Sequence, residues 1–207
     1  EIMPSLVGSE MCIRDSGKIA GLDNPYVYLL RYTGEVEVID SAKVTKGDFV
    51  FKGKAEQPEV VYLSTDKQQP FVHFFLENGR ISVDGALSAP ADIAVLGTPS
   101  NDIQRAFDEK IAALEEEFAK TGNDVQRDSL RKEYSKLMSD AVEMNRDNIY
   151  GVTTFLNNAY AFLSPEEVME QIALFPAEWQ QRRELTELRE ATERKLRVSA
   201  GHPYIDI

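Results

Sequence analysis

The sequence has a single cysteine, Cys12, among its 207 residues. A disulfide needs two thiols and structural zinc sites commonly use several, so the chain can form neither an intrachain disulfide nor a cysteine-rich metal site. The sequence also lacks a Gly-rich phosphate loop, a G-x-S-x-G motif and a C-x-x-C pair. It therefore carries none of the short motifs of nucleotide binding, serine hydrolysis or dithiol redox chemistry.

Basic patches and long apolar runs are missing as well. The formal net charge is −12, with 23 basic and 35 acidic residues. Because an acidic surface repels phosphate backbones, the composition argues against nucleic acid binding. No apolar run approaches the roughly 18–20 residues of a membrane span. The first residues also lack the basic and apolar regions of a signal peptide.

The start of the sequence has an unusual composition. Ser5 to Ser16 reads as the translation of a transposase-adapter end used in sequencing libraries. We therefore expect residues 1–16 to be a non-native, adapter-derived tail and exclude them from the fold prediction. On this interpretation Cys12 is not native, and the missing signal peptide says nothing about the compartment. The alternative is a short disordered native tail.

Residues 17–97 contain short β-like segments separated by turn signals. Val36, Val38, Ala42 and Val44 sit mostly at even spacing, and Asn78-Gly79 is the strongest local hairpin signal. Seven or eight short strands at about ten-residue spacing predict an antiparallel β-sandwich or a partly open barrel. The predicted segments are 18–22, 26–32, 36–44, 49–53, 59–64, 71–77, 80–84 and 92–96.

From residue 98 the apolar residues recur at helical spacing. Thr98 and Pro99 are typical of a helix start, and 121–123 is a break before a second helix from Asp124. Ser164-Pro165-Glu166-Glu167 reads as a capping box that begins a short helix. The last helix is predicted from Ala177 to about Val198. The class is thus α+β, with a bundle of about five α-helices after the strands.

The stretch from Asn148 to Leu163 is predicted to be the centre of the helical region. It is apolar on nearly every side. A helix that is hydrophobic most of the way round cannot face water, so we expect neighbouring amphipathic helices to surround it.

Two histidines and one acid–hydroxyl pair are the nearest candidates for catalysis. His73 lies in a predicted strand, where a half-buried or edge-strand histidine is the simpler interpretation. His202 has no second histidine at ligand spacing, which argues against a metal role. Asp40 and Ser41 are adjacent on a strand and would point to opposite faces, so a turn or bulge is expected there.

Three polar groups in the helical region are the remaining candidates. Glu115-Glu116-Glu117 is expected to be a solvated helix face. The asparagines around the central helix should bond backbone at helix ends, and a polar ligand is the functional alternative. Trp179 with Arg182-Arg183 could form an anion or stacking site, although helix packing with surface charge explains them too. The asparagines are Asn145, Asn148, Asn157 and Asn158.

The end of the sequence, Ser199-Ala-Gly-His-Pro-Tyr-Ile-Asp-Ile207, resembles the entry to a thioredoxin-like domain of the peroxiredoxin-related (AhpC/TSA), TlpA/ResA-like class. Asn145-x-x-Asn148-x-x-Gly151 with Ser164–Glu167 is similar to the linker of those proteins. The start resembles their N-terminal domain of unknown function. The matching segments there are Lys18–Leu22, Val27–Leu29, Ile39–Val44, Asp48–Gly53 and Leu96–Thr98.

This resemblance covers residues 17–207 and implies a domain order. Residues 17–97 would be a β-sandwich domain of unknown function, 98–199 a helical domain or linker, and 200–207 the start of a thioredoxin-like domain. The full-length protein would be a thiol–disulfide oxidoreductase of the periplasm or cell envelope, with its C-x-x-C pair downstream of Ile207.

The same resemblance implies a non-enzymatic role for the chain itself. It would position the redox domain or recognise a client, with no catalytic residue, cofactor or metal of its own. Its partners would be its own thioredoxin-like domain and a protein client. Membrane association would come only through a lost N-terminal signal or lipid anchor.

A free-standing envelope module that binds a glycan or peptide on its sheet face is the alternative. An exposed row of aromatic side chains would favour this alternative, and burial of the same side chains in the core would count against it. A hydrolase with paired carboxylates has no placed pair in the sequence. The aromatic row consists of Tyr26, Tyr28, Phe49, Phe51 and Tyr62.

Overall fold

Two four-stranded β-sheets form the N-terminal part of the structure, a computed structural model that describes residues 13–160 and 163–199. The first sheet has the order β4-β1-β7-β8 and the second the order β3-β2-β5-β6. All pairings are antiparallel except that of β1 with β7, which is parallel. The strands are β1 (Ile13–Ala20), β2 (Tyr26–Tyr32), β3 (Val36–Lys43), β4 (Asp48–Gly53), β5 (Glu59–Ser64), β6 (Pro70–Leu76), β7 (Ser82–Ala86) and β8 (Ala94–Leu96).

A single hydrophobic core lies between these sheets. In β4, Phe49 and Phe51 are buried while Val50 between them is exposed, the alternation expected of a strand with one buried face. Both sheets contribute side chains to one cluster, so the predicted β-sandwich is confirmed. Its buried members include Ile19, Val27, Leu29, Phe49, Phe51, Val61, Leu63, Phe74 and Val83.

Strand β1 begins at Ile13, inside the segment predicted to be a non-native tail. Its residues 13–16 pair with β4 from Gly53 to Val50. Strand pairing uses backbone groups that every residue except proline offers, so it does not decide whether these residues are native. Residues 1–12, with Cys12, lie outside the described residues.

The predicted hairpin at Asn78-Gly79 is wrong. The strand before it, β6, pairs within the second sheet, whereas β7 after it pairs within the first. The Asn78 side chain instead accepts a hydrogen bond from the Ala55 amide at 3.1 Å and donates one to the Ala55 carbonyl at 3.0 Å. The turn thus carries the chain from the second sheet to the first, and the Asn78 side chain attaches it to Ala55.

Helices follow the strands, which confirms the α+β class. The last predicted helix, Ala177 to Val198, is wrong as a single element because it divides into α5 and α6. The Arg182 amide donates to the Trp179 carbonyl at 3.0 Å, a bond that closes a turn between them. The helices are α1 (Pro99–Lys120), α2 (Asp124–Met144), α3 (Ile149–Thr154), α4 (Pro165–Ala173), α5 (Ala177–Gln180) and α6 (Arg183–Ser199).

Helix α3 continues into a π-helical segment, Phe155–Ala159, and the two together form most of the predicted central helix. Ile149, Val152 and Phe155 are almost completely buried, as the prediction required. Tyr160, by contrast, is 38% exposed, so this helix is not enclosed along its whole length. Residues 161 and 162 of the predicted helix lie outside the described residues.

The chain divides into two compact units, residues 1–105 and 106–207. The first contains both sheets and is called the β unit below. The second is called the helical unit. Its core cluster combines residues of α2, α3, α4 and α6 with Phe155 and Phe175, whose ring centroids lie 5.6 Å apart.

The capping box that begins α4 is confirmed. The Ser164 hydroxyl accepts a hydrogen bond from the Glu167 amide at 3.2 Å, and the Glu167 carboxylate accepts one from the Ser164 amide at 2.8 Å. We expect Ser164→Ala to reduce the free energy of unfolding by about 1 kcal/mol, because the Glu167 amide loses the side-chain oxygen that accepts its hydrogen bond. Urea unfolding would measure this loss. Ser139→Ala, at an exposed position inside α2, is the control; an equal loss there would contradict the capping assignment.

Candidate binding site

An open pocket lies in the β unit beside the edge strands β3 and β4. These strands are joined by a tight turn, closed by paired hydrogen bonds between Thr45 and Asp48, and then enter different sheets. The pocket has a volume of about 220 Å³. Its floor is apolar and its rim is charged, a combination that suits small or extended polar ligands. The lining comprises Leu29, Arg31, Ile39, Asp40, Phe51, Lys52, Gly53, Lys54, Ala55, Glu59 and Leu76.

An ion pair between Arg31 and Glu59 forms one wall of the pocket. Arg31 Nε lies 2.5 Å from one Glu59 carboxylate oxygen and Arg31 Nη2 lies 2.6 Å from the other, a bidentate geometry. Arg31 Nη1 also donates to Glu37 at 3.2 Å. Hydrogen bonding to Glu59 raises the pKa of Arg31 above its ordinary value, against the opposing effect of burial. The guanidinium therefore stays protonated, and its positive charge is already paired with Glu59 and Glu37.

Tyrosines cover the outer face of the second sheet. The rings of Tyr32 and Tyr62 meet edge to face with centroids 4.7 Å apart. Burial, followed by the neighbouring Tyr32, raises the pKa of Tyr62 above its ordinary value. Tyr26 is 46% exposed and Tyr32 is 41% exposed. These rings, with Tyr28, are called the tyrosine face; they give the β unit an exposed aromatic surface of the kind found at recognition sites.

The predicted aromatic row is divided by the structure. Tyr26, Tyr28 and Tyr62 belong to the tyrosine face, whereas Phe49 and Phe51 are buried in the core at 2% and 3% exposure. The row fails as one surface because the two phenylalanines belong to β4, in the other sheet, and point inward. Sequence reasoning missed Tyr32, which completes the face and follows the same period of two along β2.

His73 lies on β6, an edge strand of the second sheet, and is exposed. Its ring centroid is 6.0 Å from that of Tyr62, and its Nε2 atom is 3.5 Å from Gln104 Nε2. The edge-strand interpretation of this histidine is therefore confirmed. The ring extends the tyrosine face at the β6 side. His202 lies outside the described residues.

Asp40 and Ser41 lie at a β-bulge. The register of β2 with β3 shifts so that Leu29 pairs with Asp40 and Leu30 with Val38, which leaves Ile39 as the extra residue. An Asp40 carboxylate oxygen accepts a hydrogen bond from the Ser41 amide at 2.7 Å. The predicted bulge is confirmed, and Asp40 lines the pocket as an exposed acid.

Asn145 and Asn148 bond backbone groups at helix ends, as predicted for these two asparagines, and they also bond each other. Asn145 is buried and donates from Nδ2 to the carbonyl four residues earlier at 2.8 Å. Asn148 Oδ1 accepts from the Gly151 amide at 3.1 Å and so caps α3, while its Nδ2 donates to Asn145 Oδ1 at 3.1 Å. Asn157 is exposed. The side chain of Asn158 lies outside the described residues.

Trp179 packs against Arg182, whose side chain is only 9% exposed, whereas Arg183 forms an exposed ion pair on the helix surface. The Arg182 guanidinium carbon is 5.4 Å from the Trp179 ring centroid, and its Nη2 atom is 3.5 Å from a Glu184 carboxylate oxygen. Arg183 Nε lies 3.6 Å from Glu187. These contacts match helix packing with surface charge.

The acidic run in α1 faces solvent. Glu115, Glu116 and Glu117 are all exposed, and Glu116 accepts a hydrogen bond from Lys120 Nζ. This pair has the spacing of four residues that stabilises isolated helices modestly. The solvated-face interpretation is confirmed.

Two observations cover the described residues as a whole. Within residues 13–160 and 163–199, no group of three or more His, Cys, Asp or Glu side chains could hold a metal ion. None of the helices in this described part of the chain combines the length and apolar composition that crossing a bilayer requires.

The chain is therefore a two-unit α+β protein whose β unit carries an aromatic face and an edge pocket. Residues 16–104 match the family described as "Domain of unknown function (DUF4369)". The matched range covers nearly all of the β unit, which ends at residue 105, so the β-rich N-terminal region is, as expected, a domain of unknown function. No curated protein and no solved structure matches the chain.

Proposed function

We propose that this chain is the non-catalytic accessory region of a thiol–disulfide oxidoreductase of the periplasm or cell envelope. Its β unit recognises a protein client, and its helical unit connects that unit to a thioredoxin-like domain. The observation that carries the proposal is the exposed tyrosine face on the outer side of the second sheet together with an open pocket at the inner side of its β3 edge, both within the segment that matches a domain of unknown function. Exposed aromatic side chains are enriched at sites of protein recognition.

Chemistry explains why the role proposed is recognition. The attacking group in thiol–disulfide exchange is a thiolate, and a resolving thiol must lie nearby. The sequence has one cysteine, Cys12, in the segment expected to be adapter-derived. Electron exchange would then belong to the C-x-x-C domain, while this chain sets where that domain lies and which substrate reaches it.

An insulin-reduction assay tests this proposal. We expect no turnover by the 207-residue chain alone, because the second thiol is missing. A fusion that continues from Ile207 into a C-x-x-C thioredoxin-like domain should reduce insulin. Deleting residues 17–97 from the fusion should change which protein clients it reduces.

Either of two results would contradict the proposal. Turnover by the chain alone would place the chemistry within it. A fusion whose client preference and stability are both unchanged by the deletion would remove the recognition role. The matched control is the fusion with its C-x-x-C cysteines replaced by serine, which should be inactive with or without residues 17–97.

A second candidate is a free-standing envelope module that binds a glycan or peptide. The outward position of Tyr26, Tyr28 and Tyr62 favours it, because aromatic rings on a sheet face offer stacking surfaces to sugar rings and side chains. Burial of Phe49 and Phe51 weakens it, since two of the five rings are unavailable. The two candidates differ in whether binding serves an attached redox domain, which the fusion experiment decides.

A further inference from the structure

The second sheet has one edge that a side chain covers and one that is open. At the β6 edge, Asn101 Oδ1 accepts a hydrogen bond from the Phe75 amide at 2.9 Å, and Asn101 Nδ2 donates to the Phe75 carbonyl at 2.8 Å. These two bonds imitate a neighbouring strand. At the opposite edge, β3 pairs only with β2 among the described residues. The backbone groups on the outer side of β3 around Val36 and Val38 are thus offered to solvent or to a partner strand, whereas the Ser41 amide already donates to the Asp40 side chain.

The open edge carries exposed branched side chains. Val36 is 46% exposed and Val38 is 43% exposed, and both lie on the outer face beside the tyrosines of β2. The bulge at Ile39 places these two valines outside while Ala42, further along the same strand, stays in the core. A strand added to β3 would place its own side chains beside the valines and extend the outer face by one row.

The inner side of the same edge borders the pocket. Side chains of an added strand alternate between faces, so every second one would point toward the pocket lined by Ile39 and Asp40. An open edge with a pocket for alternate side chains is the arrangement used for peptide recognition by strand addition, in which main-chain bonds supply affinity and pockets supply specificity.

The charges at the β3 edge indicate what kind of strand would bind there. Glu35, Glu37 and Asp40 lie at or beside this edge, and the nearby Arg31 is already bound by Glu59 and Glu37. Residues directly opposite on paired strands are about 5 Å apart, and like charges in that position are destabilising. Two β3 edges would therefore repel each other, whereas a basic strand would be attracted.

Three lysines weaken the attraction of the β3 edge for a basic strand, but they lie farther from it than the acids. Lys52 lies in β4 of the other sheet, and Lys54 directly follows that strand; both line the pocket. Packed sheets are generally about 10 Å apart. Lys43 is at the far end of β3, paired with Tyr26. Because paired strands within a sheet are about 5 Å apart, we expect the acids of β3 to lie nearer to an added strand than Lys52 and Lys54 and to contribute more to its electrostatic environment.

We propose that the outer edge of β3 binds an extended, basic polypeptide segment by strand addition. Apolar side chains of this segment lie beside Val36 and Val38, and its basic side chains lie beside Glu37 and Asp40 with their alkyl stems over the pocket floor. The proposal deepens the client-recognition role and rests on it for the polypeptide nature of the partner.

The test uses the full 207-residue chain and a labelled, capped nine-residue peptide of alternating lysine and valine. Fluorescence anisotropy should show saturable binding, and Val38→Lys should weaken it by about tenfold or more, because an apolar contact is replaced by like-charge repulsion. Val50→Lys is the matched control, since Val50 is 44% exposed on the other edge strand; it should change the affinity by less than about twofold. Hydrogen exchange should show new protection in β3.

Four outcomes would overturn the proposal. The first is that an alternating glutamate–valine peptide binds with the same affinity as the lysine–valine peptide, and the second is that a lysine–valine peptide with proline at alternate positions binds equally well. The third is that hydrogen exchange shows new protection in β4 and none in β3. The fourth is that the unsubstituted chain does not bind the lysine–valine peptide. If client choice by the redox fusion still depended on residues 17–97, such an outcome would remove this edge as the site and leave the recognition role standing. If the peptide bound at β3 but deleting residues 17–97 left the client choice and stability of the fusion unchanged, the β3 site would stand and the client-recognition role would be removed.

Discussion

Gly151→Ala is expected to destabilise the helical unit by roughly 3 kcal/mol or more. A Cβ atom at this position would lie 1.8 Å from the Asn145 carbonyl oxygen and 2.5 Å from its carbonyl carbon. Asn145 is 6% exposed, and its side chain is bonded on both sides, so the backbone has little room to retreat. The helix-propensity gain of alanine over glycine is only about 1 kcal/mol, so the clash should win.

Urea unfolding followed by circular dichroism would measure this effect. Gly122→Ala is the control, because Gly122 lies between α1 and α2 with nothing within 4 Å of the added Cβ and no positive φ. We expect that substitution to change the free energy of unfolding by less than about 0.5 kcal/mol. If Gly151→Ala were as well tolerated as Gly122→Ala, the close packing of α3 on Asn145 would be wrong.

Phe49→Ala should destabilise the β unit by about 3–5 kcal/mol, the usual cost of removing a fully buried aromatic ring. The Phe49 ring is 2% exposed, packs edge to face on Phe51 with centroids 5.8 Å apart, and covers Gly17. The cavity left by the ring would remove packing contacts from the core that both sheets share. Chemical denaturation followed by the loss of β-sheet circular dichroism would measure the loss.

Tyr26→Ala is the comparison that tests the division of the predicted aromatic row. Tyr26 is 46% exposed on the tyrosine face, so its removal should change stability by no more than about 0.5–1 kcal/mol. If the two substitutions had equal effects, the separation of the row into core and surface would be contradicted. A small effect of Phe49→Ala would contradict the burial of Phe49 and would again favour a single surface of all five aromatic rings.

Local signals were sufficient for most element boundaries. The capping box at Ser164, the helix start at Pro99 and the break at 121–123 are decided by groups within a few residues of each other. The burial of Ile149 to Phe155 followed from composition alone, because a segment without a polar face has no stable exposed position. These features need no knowledge of what the chain packs against.

The bulge in β3 shows where local pattern reading stops. Val36, Val38 and Ala42 share an even spacing, which predicts one common face. The structure places the valines outside and Ala42 inside, because the extra residue Ile39 shifts the strand by one position. The open, apolar edge that carries our binding proposal exists because of that shift.

The candidate site was recoverable only in part. The tyrosines of β2 alternate visibly, and Arg31 stands out as a charge within an apolar strand. Its partner Glu59 lies 28 residues away and is found only once β2 and β5 pair. The same holds for Asn101, which covers Phe75 from 26 residues away.

The amino-acid sequence by itself determined the order of strands and helices, the caps, and the central position of the apolar helix, since each depends on periodicity or on contacts between near neighbours. Tertiary structure decided which sheet each strand joins, which way β3 turns its side chains, and which sheet edge stays open. These depend on pairings between residues far apart in the chain, where any strand offers the same backbone groups and only the collective packing of side chains selects one partner over another.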